Sequence, residues 1–180
     1  MVAAMAAHGQ VAASAGAGVF SPYKGTAGPS VLAQVLTSSH LWRFGGEIEY
    51  RNYKSTLFDV DNVEINSVSL RGIVHYRLRA EGVVPYLGGG IGLNVNVIDA
   101  KKIERESFRL TDVSDAGVGI GFLVLGGVEI PLGARVSLFG EGRVGADVQL
   151  TQQKNGGGNG DIGVENLGGV TGVAGVRVYF

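Results

Sequence analysis

Alternation at every second position is the feature that most constrains this chain. Successive side chains on a strand point to opposite faces, whereas one face of a helix recurs every 3.6 residues. From Val118 to Ile130 the even positions read Val118, Ile120, Phe122, Val124, Gly126, Val128 and Ile130. The odd positions read Gly119, Gly121, Leu123, Leu125, Gly127 and Glu129. Leu87 to Val97, Val136 to Val148 and Val170 to Phe180 repeat the pattern, as do Trp42 to Arg51 and Ser67 to Leu78. Gln10 to Phe20 is a weaker match, being mostly Ala and Gly, and Val31 to Thr37 is short and nearly all apolar. These eight segments are expected to be strands.

A helical reading fails. The longest apolar run, Gly117 to Val128, is shorter than the roughly 20 residues a helical span needs. It also carries Gly at 117, 119, 121, 126 and 127, each disfavouring helix by about 1 kcal/mol relative to Ala. Yet the chain is apolar overall, with a mean hydropathy of +0.21, which strands facing an oily medium explain. Its 31 glycines show no G-x-y period and only 4 prolines accompany them, so collagen is excluded. The 15 basic and 16 acidic side chains give a net charge of −1 and no electrostatic reason to bind nucleic acid. Without Cys there is no disulfide, thiolate metal site or Cys nucleophile, and three scattered His (His8, His40, His75) disfavour a His-based metal centre. No cofactor is implied.

Residues 1–9 are small and apolar, with an A-x-A pattern ending at Ala6. They read either as the tail of a secretory signal peptide lacking its basic start or as a disordered lead-in. Residues 10–180 read as a single barrel domain. Links between strands alternate in length. Short ones lie near Ser38–His40, Ala80–Gly82 and Pro131–Gly133, and long ones are expected at Ser21–Ser30, Lys54–Asn62, Asp99–Asp112 and Thr151–Gly163. Such alternation implies antiparallel up-and-down order with all the long loops at one end.

Eight such strands suit a sandwich, a soluble lipocalin-like barrel with an apolar interior, or a transmembrane β-barrel with the apolar face outward. The position of charge discriminates. The polar face carries Arg43, Glu47, Glu49, Arg51, Arg71, His75, Arg77, Glu129, Glu141 and Arg143, of both signs and mid-strand. Much of the rest of that face is Gly or Ser, the small residues that a narrow eight-stranded lumen needs where long side chains cross it. The expectation is an all-β, eight-stranded antiparallel transmembrane barrel.

At this point the chain resembles a known family. Val84 to Gly92, with its Pro85-Tyr86 and alternating glycines, looks like the Gly-rich strand of small Gram-negative outer-membrane barrels of the OmpA/OmpX-like superfamily. The ending Val176, Val178 and Phe180 is similar to the terminal assembly signal of such proteins. The resemblance implies insertion by the outer-membrane assembly machinery, surrounding lipids and lipopolysaccharide as partners, periplasmic termini and exposed long loops. It also implies a monomer. Unlike full-length OmpA-type proteins, the chain is expected to carry no peptidoglycan-binding domain after the barrel.

Pairing the third and fourth strands about a turn near Phe58 sets Glu47 beside Arg71 and Arg43 beside His75, with Glu141 and Arg143 reaching the same layer from across the ring. The ten charged residues above are therefore expected to form a salt-bridge network that fills the lumen. The alternative is a passage or binding barrel in which those charges switch partners. Enzymatic chemistry is not expected. His75 has no nucleophile within reach, Ser69 being six residues away, and the His-x-Ser pattern of lipid-A deacylase barrels does not occur. Gly156 to Asp161 is one residue out of a calcium-binding turn pattern and occurs once, so a flexible loop is expected there. Lys101 to Glu106 is charged but nearly balanced. Trp42, Tyr76 and Phe180 at the short-turn end, with Tyr50 toward the other, fit aromatic belts at membrane interfaces. The function expected is a structural or surface-interaction role through the loops.

Overall fold

The computed structural model describes residues 10–57, 60–99, 115–153 and 161–180. Residues 1–9, Lys101 to Glu106 and most of the Gly156 to Asp161 segment lie outside them. Ten strand segments occur: β1 (Gln10–Pro22), β2 (Gly25–Thr26), β3 (Gly28–Ser39), β4 (Trp42–Leu57), β5 (Val60–Arg77), β6 (Val84–Asp99), β7 (Asp115–Pro131), β8 (Val136–Gln153), β9 (Asp161–Asn166) and β10 (Gly169–Tyr179). All pairings are antiparallel, in the order β1-β3-β4-β5-β6-β7-β8 with β2 against β4 and β9 against β8, and β10 pairs with both β8 and β1, which closes the ring. β2 continues the stave of β3, and β9 that of β10, so the ring has the eight expected staves. β9 and β10 are interrupted at Leu167 and Gly168. There the Asn166 side chain accepts from the backbone N–H of Asp147 at 3.2 Å and of Gly168 at 2.9 Å.

The barrel is oily outside and ionic inside. Val31, Val35, Phe44, Ile48, Leu70, Ile91, Leu93, Ile120, Phe122, Val124, Leu138, Val144 and Val176 all face outward and are exposed. The alternate positions are buried in the lumen. A soluble carrier would require the opposite, because apolar side chains are buried wherever water is the surrounding solvent. At the short-turn end Trp42 pairs directly with Tyr76, ring centroids 4.8 Å apart, and both are exposed. Tyr50 is exposed higher on the same strand, its hydroxyl donating to Asn66 at 2.8 Å. From Trp42 to Tyr50 the height is roughly 20 Å at about 3.3 Å per residue and a tilt near 40°, close to the ~25 Å apolar band of such barrels.

Two of the long loops expected from sequence are instead mostly strand. β1 runs to Pro22 and β2 begins at Gly25, while β4 runs to Leu57 and β5 begins at Val60. Above Tyr50 the pattern inverts. Asn52, Lys54, Glu64 and Asn66 form outward polar pairs, while Tyr53, Val63 and Ile65 turn inward and cluster with Phe20 and Leu167. A segment above the apolar band has water outside, so it buries its apolar side like any soluble sheet.

Glycine tolerance divides by face. A Cβ on Gly92 would lie 2.0 Å from the Leu70 carbonyl oxygen, whereas outward Gly142 has nothing within 4 Å. Gly92→Ala should therefore destabilise by about 1–3 kcal/mol through backbone displacement. Gly142→Ala should be neutral or stabilising by up to about 1 kcal/mol. Urea unfolding of the two variants in lipid bilayers separates them.

Candidate functional site: the ionic lumen

Because strand side chains alternate, each inward polar position is fixed by register. Glu47 lies opposite Arg71, Arg43 opposite His75, and Glu49 opposite Ser69. Among the described residues ten charged side chains, none more than 5% exposed, fill the lumen. Five are guanidiniums (Arg43, Arg51, Arg71, Arg143, Arg177) and five are carboxylates (Glu47, Glu49, Glu129, Glu141, Asp147).

They stack in three layers. At the short-turn end Glu129 Oε2 accepts from Arg43 Nη1 and Arg177 Nη1, both at 2.6 Å. Its Oε1 accepts from Ser137 Oγ at 2.7 Å and from the Tyr179 hydroxyl. In the centre Arg143 grips Glu47 with two N–H groups, at 3.0 and 2.7 Å, across the barrel from β8 to β4. The same guanidinium donates from Nε to Glu141 at 2.8 Å. Arg71 joins Glu47 at 3.3 Å and also donates to Glu49, which accepts in addition from Ser30 Oγ at 2.7 Å. In the upper layer Arg51 Nη2 donates to Asp147 at 2.6 Å and stands 4.5 Å over the Phe20 ring.

Gln34 joins the lower and central layers. Its amide NH2 donates to Glu47 at 2.9 Å and its carbonyl accepts from Arg177 at 3.1 Å. A neutral side chain presenting both polarities can sit between a carboxylate and a guanidinium without leaving either unpaired. Arg177 also reaches Ser14 Oγ at 2.8 Å, so the last stave is tied through the lumen to the first. Above the ion pairs, inward Gly117 and Gly121 leave β7 bare, and neighbouring side chains cover it: Gln149 over Gly117, and Asn94 with Asp147 over Gly121. The cavity among Phe20, Glu49, Arg51, Arg71, Arg143 and Asp147 measures about 10 Å³, room for one water.

Nine of the ten charged residues singled out from sequence lie in this lumen. Arg77 is the exception. It is the last residue of β5 and half-buried at the rim, where it donates to the backbone carbonyl of His40 and makes no described ion pair. Sequence reasoning left Asp147, Arg177 and Gln34 out of the network. Their positions were signalled, since each falls on the inward register of its strand, but that register names no partner across the ring. Tyr86, also inward, donates its hydroxyl to Glu141 at 2.8 Å. His75 stacks on that Tyr86 ring at 5.0 Å and makes no hydrogen bond among the described residues, while Ser69 serves Arg51 and Arg71. Among the described residues no group of three or more His, Asp or Glu is arranged to hold a metal ion. Among the described residues no helix is long and apolar enough to cross a membrane.

No protein-family model matches the chain. No curated protein matches it. Solved structures do. Neisserial surface protein A (NspA) is 24% identical over 96% of this chain and 97% of its own, with a TM-score of 0.60. The outer membrane protein OprG from Pseudomonas aeruginosa is 11% identical over 97% of both chains, with a TM-score of 0.65. The fold is that of the eight-stranded outer-membrane barrels. A third such barrel, Ail, the attachment invasion locus protein of Yersinia pestis, is 10% identical over 98% of this chain and 100% of its own, with a TM-score of 0.50.

Proposed function

We propose that the chain is a non-enzymatic outer-membrane protein of a Gram-negative bacterium, whose closed barrel holds its loop end at the cell surface. The observation that carries this reading is the lumen. Five guanidiniums and five carboxylates bond across it in every direction. Buried charges of this kind are tolerated only when paired, so opening a path would require unpairing several at once. The barrel then serves as an anchor, and interaction belongs to the loop end, facing lipopolysaccharide and the medium. In keeping with this, two proteins of the same fold are named for surface and attachment roles. The termini and short turns face the periplasm. Val176, Val178 and Phe180 line the outward face of the last stave and serve as the signal read by the assembly machinery, and the barrel works as a monomer.

Planar-bilayer recording of the refolded protein tests the closed lumen. No unitary conductance above baseline is expected in molar salt. Reproducible steps abolished by Glu47→Lys would instead establish a passage through the lumen.

A further inference from the structure

We propose that the short-turn mouth of the lumen binds a phosphate-type oxyanion. This goes beyond the anchoring role and does not depend on it. Charge balances over the ten buried side chains but not once the rim is counted. In the central and upper layers Glu47, Glu49, Glu141 and Asp147 face Arg51, Arg71 and Arg143, and Arg177 reaches up to Glu141 as well, at 3.8 Å. At the mouth, among the described residues, Glu129 pairs with Arg43 and with the shared Arg177, and Arg77 at the rim adds a sixth guanidinium with no ion pair to the five carboxylates. Glu129 has no capacity left, because it already accepts from Arg43, Arg177, Ser137 and Tyr179.

Unused donors gather in one corner of this mouth. Register sets Ser38 beside Arg43 and Arg43 beside His75, all three inward and buried, and Arg77 follows His75 on the same face of β5. The turn at His40 and Leu41 closes the corner. The Arg77 backbone N–H donates to Leu41 O at 2.8 Å, and its guanidinium donates to His40 O. Here Ser38 Oγ, Arg43 Nε and Arg77 Nε have no hydrogen-bond partner among the described residues. Ser38 is 92% buried, being 8% exposed, and Arg43 is 1% exposed. His75 Nδ1 and Nε2 are unpartnered there too, and its ring N–H can donate as the hydroxyl and guanidinium N–H groups do. Surplus positive charge with several unpaired donors is the complement of an oxyanion, which offers acceptors and negative charge only. The adjoining turns add exposed Arg79 and Arg135 against Glu81. Leu78, Val83 and Leu132 are also exposed there, so the turns sit at headgroup depth. The oxyanion can therefore come from a phospholipid headgroup or from free phosphate.

The test uses the folded barrel with ¹⁵N-labelled arginine. In one arm, in zwitterionic detergent, inorganic phosphate is titrated in while the Arg Nε–H signals are followed. In the other, the barrel sits in phosphatidylcholine nanodiscs with or without phosphatidic acid and with no free phosphate. Saturable shifts of Arg43 and Arg77, with Arg51 unmoved, are expected in at least one arm. Shifts with inorganic phosphate assign a free oxyanion, and shifts with phosphatidic acid alone assign a headgroup. Arg77→Gln should weaken binding about tenfold, the loss of one charge-assisted hydrogen bond. Ser38→Ala should weaken it too and stands in if Arg77→Gln fails to fold. Silence in both arms, equal shifts with chloride at matched ionic strength, or undiminished binding in the folded variants would overturn the proposal.

Discussion

Glu47→Ala should cost about 3–5 kcal/mol of barrel stability, the penalty for leaving a buried ion pair without one partner. Glu47 accepts from Arg143 twice, from Arg71 and from Gln34, and it is 2% exposed. Its removal strips Arg143 of a two-point grip and leaves the lumen with five guanidiniums against four carboxylates. Truncation of an exposed pair would cost no more than about 1 kcal/mol, so the size of the effect reports burial as well as pairing. Urea titration of the refolded protein in lipid bilayers reads it. Pairing Glu47→Met with Arg143→Met should recover part of the loss, because the unpaired charge is then gone. A cost near 1 kcal/mol for Glu47→Ala would mean that the lumen is wet and its charges screened.

Val124→Arg should cost about 2–4 kcal/mol, the penalty for a guanidinium on the lipid face near the bilayer midplane. Val124 is 70% exposed and lies between Gly89 and Val144 on neighbouring strands, in the middle of the apolar band. In a water-soluble barrel the same substitution at so exposed a site would fall within about 0.5 kcal/mol of neutral. The experiment is the yield of folded protein in vesicles of increasing hydrocarbon thickness. Loss that grows with thickness is expected for Val124→Arg, and Asn52→Arg, on the outward polar ladder above Tyr50, should fold like the parent.

The fold was legible because lipid and lumen impose opposite demands on alternate residues. Val118 to Ile130 shows why: even positions meet hydrocarbon, and odd positions must be small or ionic. Ion-pair partners across β4 and β5 were legible for the same reason, since antiparallel register follows once the turn is placed. Three things were not. Hairpins above the apolar band invert the rule, so Tyr53, Val63 and Ile65 could not be told from loop residues by looking for an oily exterior. Asp147 pairs with Arg51 on a strand distant in sequence, and Arg177 with Ser14 is a contact that only ring closure creates. Glutamine as a bridge between Arg177 and Glu47 has no sequence signature, because either end of a carboxamide can face either charge.

Side-chain orientation relative to lipid is the central claim, and spin-label accessibility measures it directly. The chain has no Cys, so single-Cys variants from Val118 to Val128 need no background correction. In bilayers, labels at Ile120, Phe122 and Val124 should collide with oxygen and not with a water-soluble nickel chelate. Labels at Gly121, Leu123 and Leu125 should be shielded from both. Oxygen access at the odd positions, or nickel access at the even ones, would contradict the account.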